Sequence, residues 1–372
     1  MNVLVTGGAG FIGSHTVDLL VDNGFDVTVI DNLEDQVHQG KKPDYLNPKA
    51  EFVLGDITNP RVWKKYLPSA DAVIHLAAMT GIGQSMYKPS KYLLTNTVGT
   101  AEMYESIIRD HKARKKIKKI VVAGSKTVYG EGAYGCETHG EVYPGPRSDE
   151  QMQAGDWEMR CPVCGKYVKP AKIREEKPVQ NLSVYALSKF AAENLSLMFG
   201  KVLGISTTCF RYFSAYGPRQ SMSNPYTGVC SIFLCRLKNN KSPIVFEDGK
   251  QIRDFVFVKD IAEANLKALE KAEETNVYNI GTGVPTSIIH IAEVIRDILG
   301  VDLDPVVTRE YRVGDTRHDL ADISKAKREL EFAPKWRLKK GLEEFVKWSE
   351  TNEAKDKFEI AERERRILQR ER

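Results

Sequence analysis

The amino-acid sequence predicts a doubly wound α/β fold, in which helices cover both faces of a parallel β-sheet. Short runs rich in β-branched residues alternate with longer amphipathic runs through the first half of the 372-residue chain. Strands that alternate with helices favour right-handed crossovers and therefore a parallel sheet. A chain of this length exceeds what one hydrophobic core usually serves, so we expect a second, smaller lobe.

The predicted elements follow one another in the order that such a sheet requires. The predicted strands are Asn2–Thr6, Val27–Asp31, Glu51–Leu54, Ala70–Leu76, Ile120–Gly124 and Thr207–Tyr212, and the predicted helices include Ile12–Asn23 and Val184–Phe199. Parallel sheets of this kind present ligand-binding groups at the carboxyl ends of their strands, so candidate site residues are sought there.

Changes in composition divide the chain. Residues 1–215 are expected to form the sheet domain, interrupted at 131–180 by an insertion rich in glycine, proline and charge. Beyond it the pattern becomes α+β with longer loops, which predicts a substrate-binding lobe over 216–348. Residues 349–372 are dense in both charges and predict a solvent-exposed helical tail.

Composition and charge argue against several classes of protein. Hydrophobic residues make up 42% and charged residues 28% of the chain, which is typical of a globular protein. The net charge of +4 is too small to indicate a nucleic-acid partner. No apolar run reaches the roughly 18 residues of a membrane-spanning helix, and no secretory signal pattern is visible. We therefore expect a cytoplasmic protein whose six cysteines are reduced thiols or metal ligands.

A glycine-rich loop after the first strand gives the clearest functional signal. Gly7, Gly10 and Gly13 form a G-x-x-G-x-x-G pattern between a strand and a helix. Glycines allow a tight turn and close approach to a pyrophosphate, and the helix N-terminus offers unpaired N–H groups. Asp31 ends the second strand, where its carboxylate would bind a ribose diol and repel a 2′-phosphate. The pattern predicts a Rossmann-type site for NAD rather than NADP, with a turn role for Asp31 as the alternative.

Further residues near this loop complete the predicted cofactor site. Phe11 and Ile12 open the helix after the loop, and Asn32 follows the second strand. Asp56 and Ile57 follow the third strand, where they could flank an adenine, and a turn role for Asp56 stays open.

Three residues form a candidate catalytic set. Tyr185 and Lys189 are four residues apart in an uninterrupted helical pattern, which places both on one face of a helix. A cation beside a phenol favours the phenolate, so we expect Lys189 and a positive nicotinamide to lower the pKa of Tyr185. Ser125 follows the fifth strand, where its hydroxyl could bind a reacting oxygen.

These motifs resemble those of the extended short-chain dehydrogenase/reductases, and most closely the NAD-dependent nucleotide-sugar epimerases. The resemblance covers about residues 1–348 apart from the insertion. The segments that carry it are Thr6–Gly13, His75–Ala78, Gly124–Gly130, Tyr185–Lys189, Arg211–Gln220 and Arg253–Phe255.

The resemblance implies a 4-epimerase that inverts C4 of a UDP-hexose or UDP-N-acetylhexosamine through a transient 4-keto sugar. Tyr185 would remove the proton of the 4-hydroxyl while a hydride passes from C4 to the nicotinamide. Ser125 would bridge the 4-oxygen and Tyr185, and Lys189 would bind the nicotinamide ribose. The NAD would stay tightly bound throughout. A homodimer formed by a helix pair that includes the Tyr185 helix is also implied.

The resemblance also implies further binding residues. Those implied for the cofactor are Leu76, Ala77, Ala78, Tyr185, Lys189 and Tyr212, and those for the nucleotide sugar are Thr80, Ser125, Tyr185, Ser214, Arg253, Arg312 and Asp319. Arg253 and Arg312 would hold the diphosphate, a task that suits bidentate guanidinium groups.

Several positions depart from the family pattern. Lys126 and Thr127 replace an acid pair of the dehydratases, so dehydration is not expected. Ser214 replaces the usual Asn, and Thr80 stands where a Lys is common. Asp319 occupies a gate position, where its small side chain would admit an N-acetyl group or would pair with Arg317.

The insertion carries a candidate metal site. Cys136-x-x-His139 precedes Cys161-x-x-Cys164, which supplies four ligands with zinc-knuckle-like spacing for a structural, tetrahedral zinc. A zinc ion would also order a loop that has little apolar surface to bury. Free thiols in a turn and a redox C-x-x-C are the alternatives.

Other functions remain as competing hypotheses. The insertion resembles that of a subfamily assigned to dTDP-L-rhamnose 4-epimerase, which makes that activity the first alternative. A non-catalytic module that binds NAD and zinc and recruits a partner is the alternative of another class. An oxidoreductase or decarboxylase of the same superfamily is a third, and it would release NADH.

Overall fold

The computed structural model describes residues 1–312 and 314–363. The strands of these residues are β1 Asn2–Thr6, β2 Asp26–Asp31, β3 Glu51–Leu54, β4 Ala72–His75, β5 Lys119–Ser125, β6 Ala133–Cys136, β7 Gly140–Val142, β8 Lys169–Ala171, β9 Ser206–Tyr212, β10 Ser214–Tyr216, β11 Ile244–Val245, β12 Ile252–Phe257, β13 Asn276–Ile280, β14 Pro285–Ser287 and β15 Val306–Val307. The α-helices are α1 Phe11–Asp22, α2 Asp35–His38, α3 Pro60–Tyr66, α4 Ile82–Ser85, α5 Pro89–Tyr92, α6 Gly99–Arg109, α7 His111–Lys116, α8 Asp149–Gln153, α9 Val184–Leu203, α10 Val229–Lys238, α11 Val258–Lys271, α12 Ile288–Leu299, α13 Ser324–Leu330 and α14 Leu338–Ser349.

Seven parallel strands form the central sheet in the order β3-β2-β1-β4-β5-β9-β13. The order reverses between β1 and β4, which is where doubly wound sheets bind ligands. All six strands predicted from the sequence are present, with boundaries that shift by at most two residues. The predicted fold class is therefore confirmed.

Alternating side chains of the sheet enter two separate cores. Val3 and Val5 of β1 pack on the face covered by α1, α11 and α13, whereas Leu4 packs on the face covered by α3 and α6. Successive side chains of a strand point to opposite faces, so a sheet covered on both sides needs apolar residues at every position. This requirement explains the unbroken apolar run in β1.

The second lobe has its own core. Phe233 of α10, Phe257 of β12, Ile291 of α12 and Phe345 of α14 lie in that core. A single boundary at residue 215 nevertheless does not divide the fold. α11 packs against α1, and β13 pairs with β9 in the central sheet, so part of 216–348 belongs to the sheet domain.

The insertion folds as a small antiparallel unit. Its strands pair in the order β7-β6-β8. A separate apolar cluster fills it, formed by Tyr134, Cys136, Val142, Met159, Cys161 and Val168. The cluster is small because the insertion contains few large apolar residues.

The tail is not the continuous solvent-exposed helix that its charge pattern predicts. Residues 353–357 are not helical, and the backbone N–H of Lys355 donates to the Ser223 hydroxyl at 3.0 Å. Asp356 pairs with Lys241 at 3.0 Å, and Phe358 is buried against the second lobe. The apolar Phe358 anchors the chain where charge density alone indicated a free helix. The rest of the tail, 364–372, lies outside the described residues.

None of the helices in the described part of the chain is long and apolar enough to cross a bilayer.

Candidate active site

The glycine loop joins β1 to α1 with the close backbone approaches that the motif predicts. Gly7 has a φ of +68°, and a Cβ there would lie 2.7 Å from the Ala77 nitrogen. A Cβ at Gly13 would lie 2.0 Å from the Gly7 carbonyl oxygen. α1 begins after Gly10 without a side-chain cap, so the N–H groups of its first turn are available to an anion. The loop therefore has the conformation of a phosphate-binding turn.

Asp31 lies at the carboxyl end of β2 beside this loop. One carboxylate oxygen accepts the Ala9 N–H at 3.1 Å and the other accepts the Leu33 N–H at 2.9 Å. These bonds fix the carboxylate and leave further lone pairs for a ribose diol, since each carboxylate oxygen can accept two hydrogen bonds.

The adjacent residues also lie where the sequence predicts. Asn32 donates its side-chain amide to Asp56 at 2.9 Å, which joins the ends of β2 and β3. Asp56 also accepts the Thr58 N–H at 2.8 Å, as a turn residue does, and Ile57 is buried in the core. Asp56 therefore has the turn role that the sequence left open, and it lies just beyond the carboxyl end of β3.

The third side of the loop is formed by the residues after β4. Leu76 donates its N–H to the Thr6 carbonyl at 3.1 Å, and Ala77 donates to the Thr6 hydroxyl at 3.3 Å. Ala78 follows them, partly exposed, as Phe11 and Ile12 are at the start of α1. These predicted cofactor residues thus lie at the carboxyl ends of β1 and β4, where the strand order reverses.

Ser125 and Tyr185 meet at the carboxyl end of β5. Ser125 ends this strand and Tyr185 lies in the first turn of α9, whose N-cap Ser183 accepts the Ala186 N–H at 3.1 Å. Burial raises the pKa of the Tyr185 phenol, and a hydrogen bond with Ser125 lowers it. The sequence predicted that Lys189 lowers this pKa. In the structure, Ser125 rather than Lys189 lowers the pKa of Tyr185.

Lys189 lies one turn further along α9 and is buried, with 5% of its surface exposed. Burial lowers the pKa of its ammonium to about 8, and the nearby Cys209 thiol raises it. Lys189 belongs to no ion pair within 1–312 and 314–363. A buried cation without a counter-ion is costly, so this position favours a ligand that supplies oxygen acceptors.

Two buried polar residues for which the sequence predicted no role support this site. His75 bridges the hydroxyls of Thr6 and Thr100 at 2.8 and 3.1 Å, and burial lowers its pKa to about 3. Asn96 accepts the Met79 N–H at 2.8 Å and donates to the Ser188 hydroxyl of α9 at 2.9 Å. Local pattern does not predict these contacts, since the partners of both residues are distant in the chain.

Three residues predicted by resemblance lie near the site with different roles. Tyr212 is buried and donates its hydroxyl to Asn265 at 2.6 Å. Thr80 has an exposed side chain, and its carbonyl accepts the Tyr92 hydroxyl at 2.7 Å. Ser214 begins β10, which pairs with β12, the strand of Arg253. Tyr212 therefore joins β9 to α11 through its hydroxyl, whereas Thr80 is exposed and Ser214 lies next to the strand of Arg253.

Arg253 donates all of its guanidinium N–H groups to the protein. Its Nη1 donates to the carbonyls of Ile252 and Arg317 at 2.9 and 3.0 Å. Its Nη2 donates to Asp315 at 3.2 Å and to the Thr316 carbonyl at 2.6 Å, and its Nε lies 3.2 Å from Asp319. A diphosphate at Arg253 would have to replace some of these partners.

Arg312, the second predicted diphosphate residue, is exposed. Its guanidinium lies 4.3 Å from the ring centroid of Phe246. The two arginines therefore differ: one is held within the protein, and the other is on the surface.

Asp319 pairs with different cations from the one expected. One carboxylate oxygen binds Lys126 and lies 3.2 Å from Arg253, while Arg317 binds Glu158, Glu247 and Asp248 instead. The other oxygen of Asp319 is buried and has no hydrogen-bond partner among residues 1–312 and 314–363. This unpaired oxygen belongs to a carboxylate that binds Lys126, the residue after Ser125. A ligand bound here could therefore donate a hydrogen bond to Asp319.

The four predicted metal ligands converge in the insertion. Their ligand atoms all lie within 4.8 Å of one another. The Sγ atoms of Cys136 and Cys164 are 3.8 Å apart, and His139 Nδ1 is 3.6 Å from the Cys136 Sγ and 3.5 Å from the Cys161 Sγ. The remaining cysteines, Cys209, Cys230 and Cys235, are buried free thiols, as expected.

Comparison with known proteins agrees with this geometry. The model of the NAD dependent epimerase/dehydratase family matches residues 3–149 and 162–281. The chain belongs to this family. The matched ranges omit residues 150–161, which lie in the insertion.

Individual relatives match almost the whole chain. A dTDP-L-rhamnose 4-epimerase of Burkholderia thailandensis is 34% identical over 350 residues, which are 93% of this chain and 94% of that protein. The structure of a UDP-glucose 4-epimerase of Thermotoga maritima with UDP-glucose has a TM-score of 0.76 and 32% identity, and covers 94% of this chain and 99% of its own. A UDP-N-acetylglucosamine 4-epimerase of Methanobrevibacter ruminantium has a TM-score of 0.76 and 30% identity, with 95% and 99% covered.

Proposed function

We propose that the protein is an NAD-dependent nucleotide-sugar 4-epimerase, which inverts C4 of a UDP-hexose or UDP-N-acetylhexosamine. The observation that carries this proposal is the Ser125–Tyr185 contact with Lys189 one helical turn away, beside a phosphate-binding loop. The relatives and solved structures named as 4-epimerases of several nucleotide sugars support it.

The chemistry requires a base, a hydrogen-bond donor and a means to accept a hydride. Bound NAD supplies reversible acceptance of one hydride from C4. The phenolate of Tyr185 takes the proton of the 4-hydroxyl as the C4–H bond breaks, and the product is a 4-keto sugar. Ser125 donates a hydrogen bond to the 4-oxygen. After the sugar turns its other face, C4 regains the hydride and Tyr185 returns the proton, so no net oxidation occurs.

The cofactor residues fit NAD by their donor and acceptor chemistry. The first turn of α1 would bind the pyrophosphate, and Asp31 would accept the adenosine ribose hydroxyls. Lys189 would donate to the nicotinamide ribose, which would give the buried ammonium its missing acceptors. Its charge would then also favour the phenolate form of Tyr185. A solved relative, the UDP-glucuronic acid 4-epimerase of Bacillus cereus, contains NAD.

The sugar would bind between Ser125 and the residues 315–319. Arg253 and Arg312 would hold the diphosphate, with Arg253 exchanging Asp315 for a phosphate oxygen. The unpartnered oxygen of Asp319 would accept a sugar hydroxyl or an acetamido N–H.

A dTDP-L-rhamnose 4-epimerase is the second candidate. The relative from Burkholderia thailandensis with that name matches 93% of this chain, and the insertion resembles that of the same subfamily. Both candidates use the same catalytic residues and differ only in base and sugar.

We infer that the insertion binds one structural zinc ion through Cys136, His139, Cys161 and Cys164. Tetrahedral zinc with bonds of about 2.3 Å to sulfur and 2.05 Å to nitrogen implies S–S separations of about 3.8 Å and S–N separations of about 3.6 Å. The observed separations of 3.8, 3.6 and 3.5 Å fit these values. Elemental analysis of purified protein would find one zinc per chain, lost in a Cys161→Ser variant.

We also propose a homodimer. Apolar side chains are exposed on α9. Others are exposed on two neighbouring elements, the π-helical turn Leu93–Val98 and α6. They are Leu187, Met198 and Val202 of α9, and Leu94, Val98 and Ile108 of the neighbouring segment. Two copies related by a two-fold axis would bury both stripes in a four-helix contact. A Met198→Lys variant would sediment as a monomer. The six free cysteines fit a reducing compartment such as the cytoplasm.

Proton NMR of incubations with UDP- and dTDP-sugars would test the proposed function, because it distinguishes C4 epimers of equal mass. We expect interconversion of at least one pair without added cofactor. Accumulation of NADH would instead indicate an oxidoreductase or decarboxylase. Absence of turnover with every sugar would indicate the non-catalytic module.

A further inference from the structure

Residues 315–319 face the candidate substrate site with one set of groups and the insertion with another. Towards the site, the carbonyls of Thr316 and Arg317 accept from Arg253, and Asp319 binds Lys126, which follows Ser125. This set of contacts determines where Asp319 and Arg253 lie relative to the catalytic serine.

The opposite set of contacts binds the segment to the insertion. Glu158 accepts from Arg317 Nη2 at 2.6 Å with one oxygen and from His318 Nε2 at 3.3 Å with the other. Arg317 is fully buried and His318 nearly so, whereas the Glu158 side chain is 46% exposed. Arg147 of the insertion adds a second link, because it donates to the Asp315 carbonyl at 3.1 Å.

Glu158 directly precedes a segment that packs in the small core of the insertion with two of the cysteines. The next residue, Met159, is buried in the small core of the insertion together with Cys136 and Cys161. Its carbonyl accepts the Val168 N–H at 3.0 Å, and Cys161 donates its N–H to the Lys166 carbonyl at 2.8 Å. Met159 and Cys161 are thus fixed by packing and by backbone hydrogen bonds. We therefore expect the position of Glu158, which directly precedes them, to depend on the order of the four predicted metal ligands.

We propose that Glu158 is a positioning residue, through which the metal-ordered insertion holds residues 315–319, and so Asp319 and Arg253, in the geometry that binds the nucleotide sugar. This inference rests on the proposed function and on the proposed zinc site. Loss of the metal would therefore weaken substrate binding, although no metal ligand contacts the sugar.

Hydrogen exchange tests the coupling without relying on activity. In Glu158→Ala we expect the backbone amides of residues 315–319 to exchange about three- to tenfold faster, as for the net loss of one hydrogen bond. Treatment of the wild-type protein with a zinc chelator should accelerate exchange in the same residues as well as in the insertion. The matched control is Glu141→Ala, because Glu141 also lies in the insertion but pairs with the exposed Arg174 at 2.8 Å. This variant should leave the exchange of residues 315–319 unchanged.

Steady-state kinetics provide the second readout. Glu158→Ala should raise the KM for the nucleotide sugar about three- to tenfold and change kcat less than about twofold, and Glu158→Gln, which keeps one acceptor, should be intermediate. Unchanged exchange at 315–319 after both chelation and the Glu158→Ala substitution would overturn the coupling, even in a protein that proves not to be an epimerase. Accelerated exchange with no epimerase activity would instead contradict only the proposed function.

Discussion

The Ser125 hydroxyl at the end of β5 lies beside the phenol of Tyr185 in the first turn of α9 and interacts with it. This contact lowers the pKa of a phenol that burial raises. It also places a donor and a base at one reacting oxygen, which is the arrangement that deprotonation of a sugar hydroxyl requires.

Substitution of these two residues should separate their roles. We expect Tyr185→Phe to lower turnover by about 10³-fold or more, because it removes the base, and Ser125→Ala by about 10²-fold. Both variants should retain bound NAD. Epimerase assays together with measured NAD content would check this, and a Tyr185→Phe variant with wild-type turnover would contradict the mechanism.

The buried ammonium of Lys189 should destabilise the protein when NAD is removed. Its pKa of about 8 in the folded state lies below its value in the unfolded chain, so folding is penalised below pH 8 and the penalty fades as pH rises. We expect Lys189→Met to stabilise the NAD-free protein at pH 7 by about 1–3 kcal/mol while it abolishes turnover. Urea unfolding at pH 7 and pH 10 would measure this. An equal stabilisation at pH 7 and pH 10 would contradict the lowered pKa of Lys189.

Gly13 should be intolerant of any side chain. A Cβ there would lie 2.0 Å from the Gly7 carbonyl oxygen, whereas a Cβ at Gly135 in the insertion would have no neighbour within 4 Å. We expect Gly13→Ala to lose NAD and at least about 2 kcal/mol of stability, and Gly135→Ala to lose neither. Thermal unfolding and cofactor content of the two purified variants give the comparison. Equal stability and equal NAD content of the two variants would contradict this expectation, because the glycine loop would then have shifted to accommodate the Cβ.

Asp31 should determine the choice of cofactor. We expect wild-type protein to release NAD and no NADP on denaturation, because the carboxylate repels a 2′-phosphate. An Asp31→Ser variant should bind NAD about tenfold more weakly, through the loss of charge-assisted bonds to the ribose. Chromatography of the released nucleotide is sufficient to decide, and NADP in the wild-type protein would contradict the role of Asp31.

The sequence predicted the parts of the fold that depend on local pattern. The strands of the central sheet, the glycine loop and the shared helix of Tyr185 and Lys189 each follow from apolar periodicity or from close motif spacing. The cysteine spacing likewise predicted which four residues converge.

Long-range contacts account for most of what the sequence did not predict. The return of β13 to the central sheet, the pairing of Asp319 with Lys126, and the buried His75 and Asn96 all join residues distant in the chain. The anchoring of the tail by Phe358 was hidden by the charge density around it. Which charged residues form ion pairs with each other depends on the folded structure. The periodicity of apolar residues in the sequence does not indicate it.

Transfer of the C4 hydrogen is the most direct test of the central claim. The best substrate of the panel, labelled with deuterium at C4, would be incubated with purified enzyme in ordinary water and without added cofactor. Our account predicts that the C4 epimer retains its deuterium at C4, and that Tyr185→Phe forms almost no epimer. A product that has exchanged its C4 deuterium for solvent hydrogen would contradict the internal return of the hydride.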